Sequence, residues 1–336
     1  MCAARRRPKE ATAAPQWLAG TKQLQRTARS GAHSLTFAFP DPFPLNKPEH
    51  TAITTKANIQ ELIRIATQVR RDIVRMVHGV QSGHPGGSLG CADFFTAMYF
   101  HVLRHDPKNF DMDGQGQDVF FLSNGHISPV WYSVLARSGY FPVSELNTFR
   151  KIDSRLQGHP TTHEGLPGVR MASGSLGQGL SVAIGAALAK KLNGDDHLVF
   201  SLHGDGELQE GQIWEAAMFA PANKVDNLIS TIDYNGRQID GDVKDVLDLG
   251  NLRAKWEAFG WDVLETKGND IAQVIGTLEE AKTRTGRGKP IMILMHTEMG
   301  CGVDFMCGTH EWHGISPNDE QLKLALAQLE ETLGDY

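Results

Sequence analysis

The chain has 336 residues, 40% hydrophobic and 21% charged, which leaves room for one large domain or two small ones with a full core and excludes disorder as the main state. The net charge of −6 is uneven: residues 1–40 carry +6, so residues 41–336 carry −12, an acidic body that argues against nucleic acid as a partner. The longest charge-free stretch, residues 171–189, is too rich in Gly and Ser to span a membrane, and the four Cys form no CxxC pair, which excludes a zinc knuckle or disulfide framework and favours a reducing compartment. The first fifty residues are rich in Ala, Arg, Ser, Thr and Pro without periodicity. Residues 1–52 are therefore expected to lie outside the folded domain of 53–336, as a disordered tail, an over-extended gene start or an organellar transit peptide. A cytoplasmic location is expected unless that segment directs import.

From residue 58 the pattern becomes regular. Leu62, Ile65, Ala66, Val69, Ile73, Val74 and Val77 recur at steps of three and four and predict an amphipathic helix ending near Gly79. Residues 92–103 read as helix, 119–122 as strand, and 130–136 and 180–192 as helices. Short runs rich in Val or Ile at 198–202, 228–232 and 291–295 read as strands, with helical segments at 213–219, 252–259 and 271–281 between them. Such alternation predicts an α/β fold with a doubly wound parallel sheet and helices on both faces, because strands buried on both sides lose the period-two polarity.

The loops after these strands are polar. Ser-Asn-Gly-His follows the first, His-Gly-Asp-Gly-Glu the second, Asp-Tyr-Asn-Gly the third and His-Thr-Glu-Met-Gly the fourth. Ligands of open parallel sheets bind beyond the carboxyl ends of the strands, so four such loops predict one shared site. Turn formation alone accounts for Gly, Asn and Asp in any one loop, but less readily for four loops that also carry His or carboxylate. Asp205, between Gly204 and Gly206, and Asn235 each stand at a predicted strand end. Oxygen donors on adjacent strands suit Mg²⁺ that keeps positions free for phosphate oxygens, with Ca²⁺ or Mn²⁺ as alternatives. The stretch from Gly174 through Ser175, Leu176 and Gly177 to Gly179 opens a helix whose N-terminus favours phosphate. It is not GxGxxG and follows no strand, which argues against a dinucleotide.

These residues resemble the thiamine diphosphate enzymes, and further motifs resemble the transketolase family. They are Ser82-Gly83-His84-Pro85-Gly86-Gly87, Ser123-Asn124-Gly125-His126, Gly158-His159-Pro160, Ile239-Asp240-Gly241 and Gly308-Thr309-His310-Glu311-Trp312-His313-Gly314. The resemblance covers about residues 56–330, and it is similar to the amino-terminal subunit of a split transketolase. It implies metal binding by Asp205, Asn235 and the main-chain carbonyl of Arg237, and contact with thiamine diphosphate by His126, Gly174, Ser175, Leu176, Gly206 and Asn235. Glu210 matches a glutamate of a carboxylate network between subunits. His84, His159 and His310 match histidines that bind substrate hydroxyls and assist proton transfer, with His313 competing for the role of His310. The implied reaction passes a two-carbon ketol unit from a ketose phosphate to an aldose phosphate. The implied partner is a complementary C-terminal subunit in an α2β2 assembly, with neither nucleic acid nor membrane involved.

Other readings are another ketol-transferring subunit, the alpha chain of an oxo-acid dehydrogenase, a non-catalytic cofactor-binding scaffold and, most distantly, a nucleotide-dependent oxidoreductase. Multiple His motifs favour sugar chemistry, and the intact Asp205, Asn235 and His84 argue against a decayed site. His163 and His203 are expected to be structural, Glu207 a solvated acid or one at a helix start, Trp312 a core residue, and Cys301 and Cys307 loop or packing residues.

Overall fold

A computed structural model describes residues 57–336. The expectation for residues 1–52 lies outside the described residues. The first helix, α1 (Ile59–Gly79), starts where the Asn58 side chain accepts a bond from the Glu61 amide, and it buries the predicted stripe from Leu62 to Val77. Two short helices follow, α2 (Pro85–Gly90) and α3 (Ala92–Ala97). The apolar pattern of residues 92–103 predicts one helix, but α3 gives way to a π-helical turn at Met98–Val102, where the Leu103 amide bonds the carbonyl of Met98. The chain continues through strand β1 (Val119–Leu122), α4 (Ser128–Arg137), α5 (Gly179–Leu192), β2 (Val199–Gly204), α6 (Gly211–Ala222) and β3 (Leu228–Tyr234). A small antiparallel ribbon of β4 (Arg237–Gln238) and β5 (Gly241–Asp242) precedes α7 (Val243–Leu247) and α8 (Leu252–Phe259). The last elements are β6 (Asp262–Lys267), α9 (Ile271–Arg284), β7 (Ile291–His296) and α10 (Asp319–Gln328).

Five strands form one parallel sheet in the order β1-β2-β3-β7-β6. Alternate residues feed two cores. Phe120, Leu122, Phe200 and Ile229 pack with α1, α3, α4 and α9 on one face, whereas Val119, Phe121, Val199 and Ile232 pack with α5, α6 and α8 on the other. The sheet is doubly wound, as the sequence predicts. Strand β6 does not stand out in the sequence, because it is an edge strand whose Glu265 and Lys267 face solvent and dilute its apolar signal. Helix α10 is equally hard to see there; a capping box between Asn318 and Gln321 starts it, but its buried face is thin.

The register of β2 on β3 pairs Gly204 with Asp233, so both strands end level with each other. Behind the sheet, Asp72 on α1 is fully buried and accepts from Arg137 Nε at 2.5 Å, Arg137 Nη2 at 2.8 Å and Ser133 Oγ at 2.7 Å. This ties α1 to α4, and burial alone would push the Asp72 carboxyl up. Arg137→Ala should leave that carboxylate unpaired and cost about 3–5 kcal/mol, against about 1 kcal/mol for Ser133→Ala, as read from urea midpoints at unchanged slope.

Candidate active site at the carboxyl edge of the sheet

A cavity of about 380 Å³ lies beyond the carboxyl ends of β1, β2, β3 and β7. Each of the four loops picked out in the sequence reaches it, through Asn124, Asp205, Asn235 and Met299 respectively. Two kinds of chemistry line this space.

The first is a carboxylate edge. Asp205 and Asp233 are both buried, and no Lys, Arg or His among the described residues pairs with either. Asp205 accepts from the amides of Gly206 at 2.7 Å and Gly236 at 2.5 Å. Burial and then repulsion from Asp233 nevertheless hold its carboxyl up at about 7. Burial pushes Asp233 up to about 6, against bonds from Thr297, Cys91 and Asn235. Asn235 donates Nδ2 to Asp233 at 2.9 Å, and its Oδ1 accepts from the Arg237 amide at 2.8 Å, which fixes the amide's orientation. The Arg237 side chain is occupied elsewhere, with Asp242 and the Gly308 carbonyl.

The second is a group of four imidazoles. His84 stands 5.1 Å from His126, 6.1 Å from His159 and 5.6 Å from His313, and His126 and His313 are 5.0 Å apart, all between ring centroids. Burial, then His313, Arg150 and His159, lower His84 to about 4. Burial also lowers His126, His159 and His313. All four rings are therefore neutral near pH 7, able to donate from one nitrogen and accept at the other. The Nδ1 atoms of His84 and His313 are buried without a partner.

Gly174, Leu176, Gly206 and Glu210 also line the cavity. Gly174 has φ of +144°, and a Cβ there would sit 3.2 Å from the Cβ of His159, so this loop closes on the histidine only with glycine. Two expected residues do not line it. Ser175 is exposed and does not line the cavity, although its neighbours Gly174 and Leu176 do. His310 opens the 3₁₀ turn His310–His313, and three residues at ~2 Å of rise carry the chain ~6 Å before His313 reaches the cavity in its place.

Glu207 stands in the first turn of the 3₁₀ helix Gly206–Gln209, as the helix-start reading has it, but it is not solvated. It is 2% exposed and accepts from Ser123 Oγ, from the Gly177 amide at 2.8 Å and from the Gly204 amide at 3.0 Å. Ser123 Oγ in turn accepts from the Gly179 amide at 3.0 Å, so one buried network pins the 174–179 loop to the ends of β1 and β2. Asp233 stands out in the sequence only as part of a polar loop; its position at the last-but-one residue of a buried strand is the available signal. His203 is buried on Ser201 and stays off the cavity, and Trp312 is buried, both as expected.

Residues 62–333 match the family model described as the thiamine diphosphate binding domain of transketolase. The chain belongs to the transketolase family. It is 41% identical to a subunit of the apulose-4-phosphate transketolase of Actinobacillus succinogenes, over 81% of this chain and 96% of that protein. It is 38% identical to the 6-deoxy-6-sulfo-D-fructose transketolase subunit SqwG of a Clostridium species, over 79% of this chain and 94% of that one. Among solved structures, the transketolase of Campylobacter jejuni superposes with a TM-score of 0.75 at 36% identity, over 81% of this chain and 43% of that one. The chain spans about two fifths of the length of the solved transketolases it matches.

The cavity fits the family domain's cofactor with a cation. Two buried carboxylates without a cationic partner need one to be ionised together, and Asn124 adds a buried, unpartnered Oδ1 on the same wall.

Glu207→Gln should turn an amide donor toward one of the N–H groups that the carboxylate accepts and cost about 2–3 kcal/mol, with weaker cofactor binding as the 174–179 loop loosens. Denaturant unfolding and a cofactor titration on the same preparation check both effects.

Proposed function

We propose that this chain is the diphosphate-binding subunit of a two-chain transketolase, which moves a two-carbon ketol unit from a ketose phosphate to an aldose phosphate. The observation that carries the reading is the meeting, in one cavity, of a carboxylate and amide edge suited to a metal diphosphate with imidazoles suited to sugar hydroxyls. Thiamine diphosphate, when bound, supplies the nucleophilic carbon and the electron sink that let a carbon–carbon bond next to a carbonyl break. Asp205, Asn235 and the Arg237 carbonyl would hold the divalent ion, with Mg²⁺ best suited to this all-oxygen set and Ca²⁺ or Mn²⁺ acceptable. His126, Gly206 and main chain at Gly174, Ser175 and Leu176 would border the diphosphate. His84 and His159 would bind sugar hydroxyls and move protons at the sugar oxygens, with His313 rather than His310 as third member. Glu210, exposed at the mouth of the cavity, would meet the second subunit.

The partner would be the complementary C-terminal chain, two copies of each forming a twofold α2β2 assembly. Support comes from the names of the two relatives, each a transketolase subunit matched over nearly its whole length. Expressed alone, the chain should show no ketol transfer, and activity should appear on mixing with the complementary chain and thiamine diphosphate. A coupled assay on sizing-column fractions reads this, and full activity in the single chain would overturn the split reading. Within the active complex, Asp205→Asn should weaken metal-dependent cofactor binding by about 2–5 kcal/mol, roughly 30-fold or more, in calorimetry. Undiminished affinity would remove Asp205 from the metal site.

A further inference from the structure

Arg150 has no role in the reading above, yet its setting is unusual. It follows the 3₁₀ turn Val143–Thr148 and takes φ of +55°, a left-handed conformation that L side chains rarely adopt. The Arg150 amide bonds the Leu156 carbonyl at 2.8 Å, closing a loop that aims the guanidinium at the segment before His159. The group packs flat on Gly158, where any Cβ would collide with Nε. Nη1 donates to Ser82 Oγ at 2.7 Å, two residues before His84. Nε is buried without a hydrogen-bond partner, and no carboxylate among the described residues forms an ion pair with this arginine. A half-buried guanidinium that lacks a counter-ion is costly unless its charge is used.

We propose that Arg150 is a positioning residue for the imidazole pair: its guanidinium, which lies 5.7 Å from the Phe149 ring centroid and has no carboxylate partner among the described residues, ties the His84 loop to the His159 loop and presents a positive charge to both rings. The proposal rests on the ketol-transfer reading for its catalytic meaning. A fixed cation beside two imidazoles disfavours a second positive charge on either, so both stay unprotonated and free to accept a proton from a sugar hydroxyl. Burial is the main cause that lowers both rings; His313 and then Arg150 add to it at His84, and Arg150 adds to it at His159. The other titratable groups that face the pair are His126 and His313, with Asp240 and His310 acting on His313, and Glu164 shares an open groove with Arg150 and His159. Neither of the other two imidazoles, His126 and His313, carries a permanent charge, as an arginine does.

The sign of the effect is set by charge. Removing the cation should raise both imidazole pKa values toward 6.5, so protonation sets in at higher pH and the acid limb of kcat/KM moves up. The test is an NMR titration of the histidine rings in the full chain, comparing wild type with Arg150→Met and Arg150→Lys, all three sharing the same backbone strain. Arg150→Met should raise His84 and His159 by about 0.2–0.7 unit, the scale of a partly screened charge contact, while Arg150→Lys should stay near wild type. In the assembled complex, the acid limb should shift upward in Arg150→Met and be rescued in Arg150→Lys. Unshifted rings in Arg150→Met, or an equal shift in Arg150→Lys, would overturn the proposal. Should Arg150→Met fail to fold, Arg150→Gln serves as the neutral variant under the same criteria. An assembled complex without ketol transfer would count against the function proposed above, while the ring titrations would still decide the role of Arg150.

Discussion

Glu207 is the interaction on which the site depends. Its carboxylate sits out of water at the end of β2 and gathers a hydroxyl from the β1 loop, an amide from its own strand end and an amide from the 174–179 loop. Burial pushes such a carboxyl up, and the three donors pull it back. A group in this position is satisfied only if all three segments are in place together. The Gly-rich loop, which has little regular structure of its own before α5, is therefore located by β1 and β2 rather than by its own sequence.

The parallel sheet supplies the second constraint. Because β1, β2, β3 and β7 run the same way and lie side by side, their terminal loops emerge at one edge. Register then sets which residues meet: Gly204 opposite Asp233 brings the carboxylates of Asp205 and Asp233 to the same cavity, where burial raises both and Asp233 raises Asp205 further. The same burial that raises these acids lowers the imidazoles. One desolvated cavity thus holds raised carboxylates and lowered imidazoles at once, and desolvation is the first cause of both.

Much of this is legible in the sequence. Buried strands announce themselves by short Val- and Ile-rich runs, α1 by its three-and-four periodicity, and the location of the site by polar loops after four strands. The motifs carry the family and nearly all the cavity residues. Apolar pattern cannot show β6, where Glu265 and Lys267 are in solvent, or the π-helical turn that follows α3, since a one-residue change in hydrogen bonding leaves the apolar content unchanged.

Element type, the doubly wound class, the shared strand-end site and the residue types available to it follow from the sequence alone, because these depend on local periodicity and on the order of short motifs. Which side chains face the cavity, and in what state, is settled by tertiary packing. His313 displaces His310 because one turn of 3₁₀ helix separates them, and Glu207 is a buried organiser rather than a solvated acid because two other segments close over it. Asp205 and Asp233 become a repelling pair through strand register, and Arg150 meets the His84 and His159 loops across 68 residues of chain to Ser82. Proton affinity and facing direction arise from desolvation and from neighbours far apart in sequence, and no local pattern encodes them.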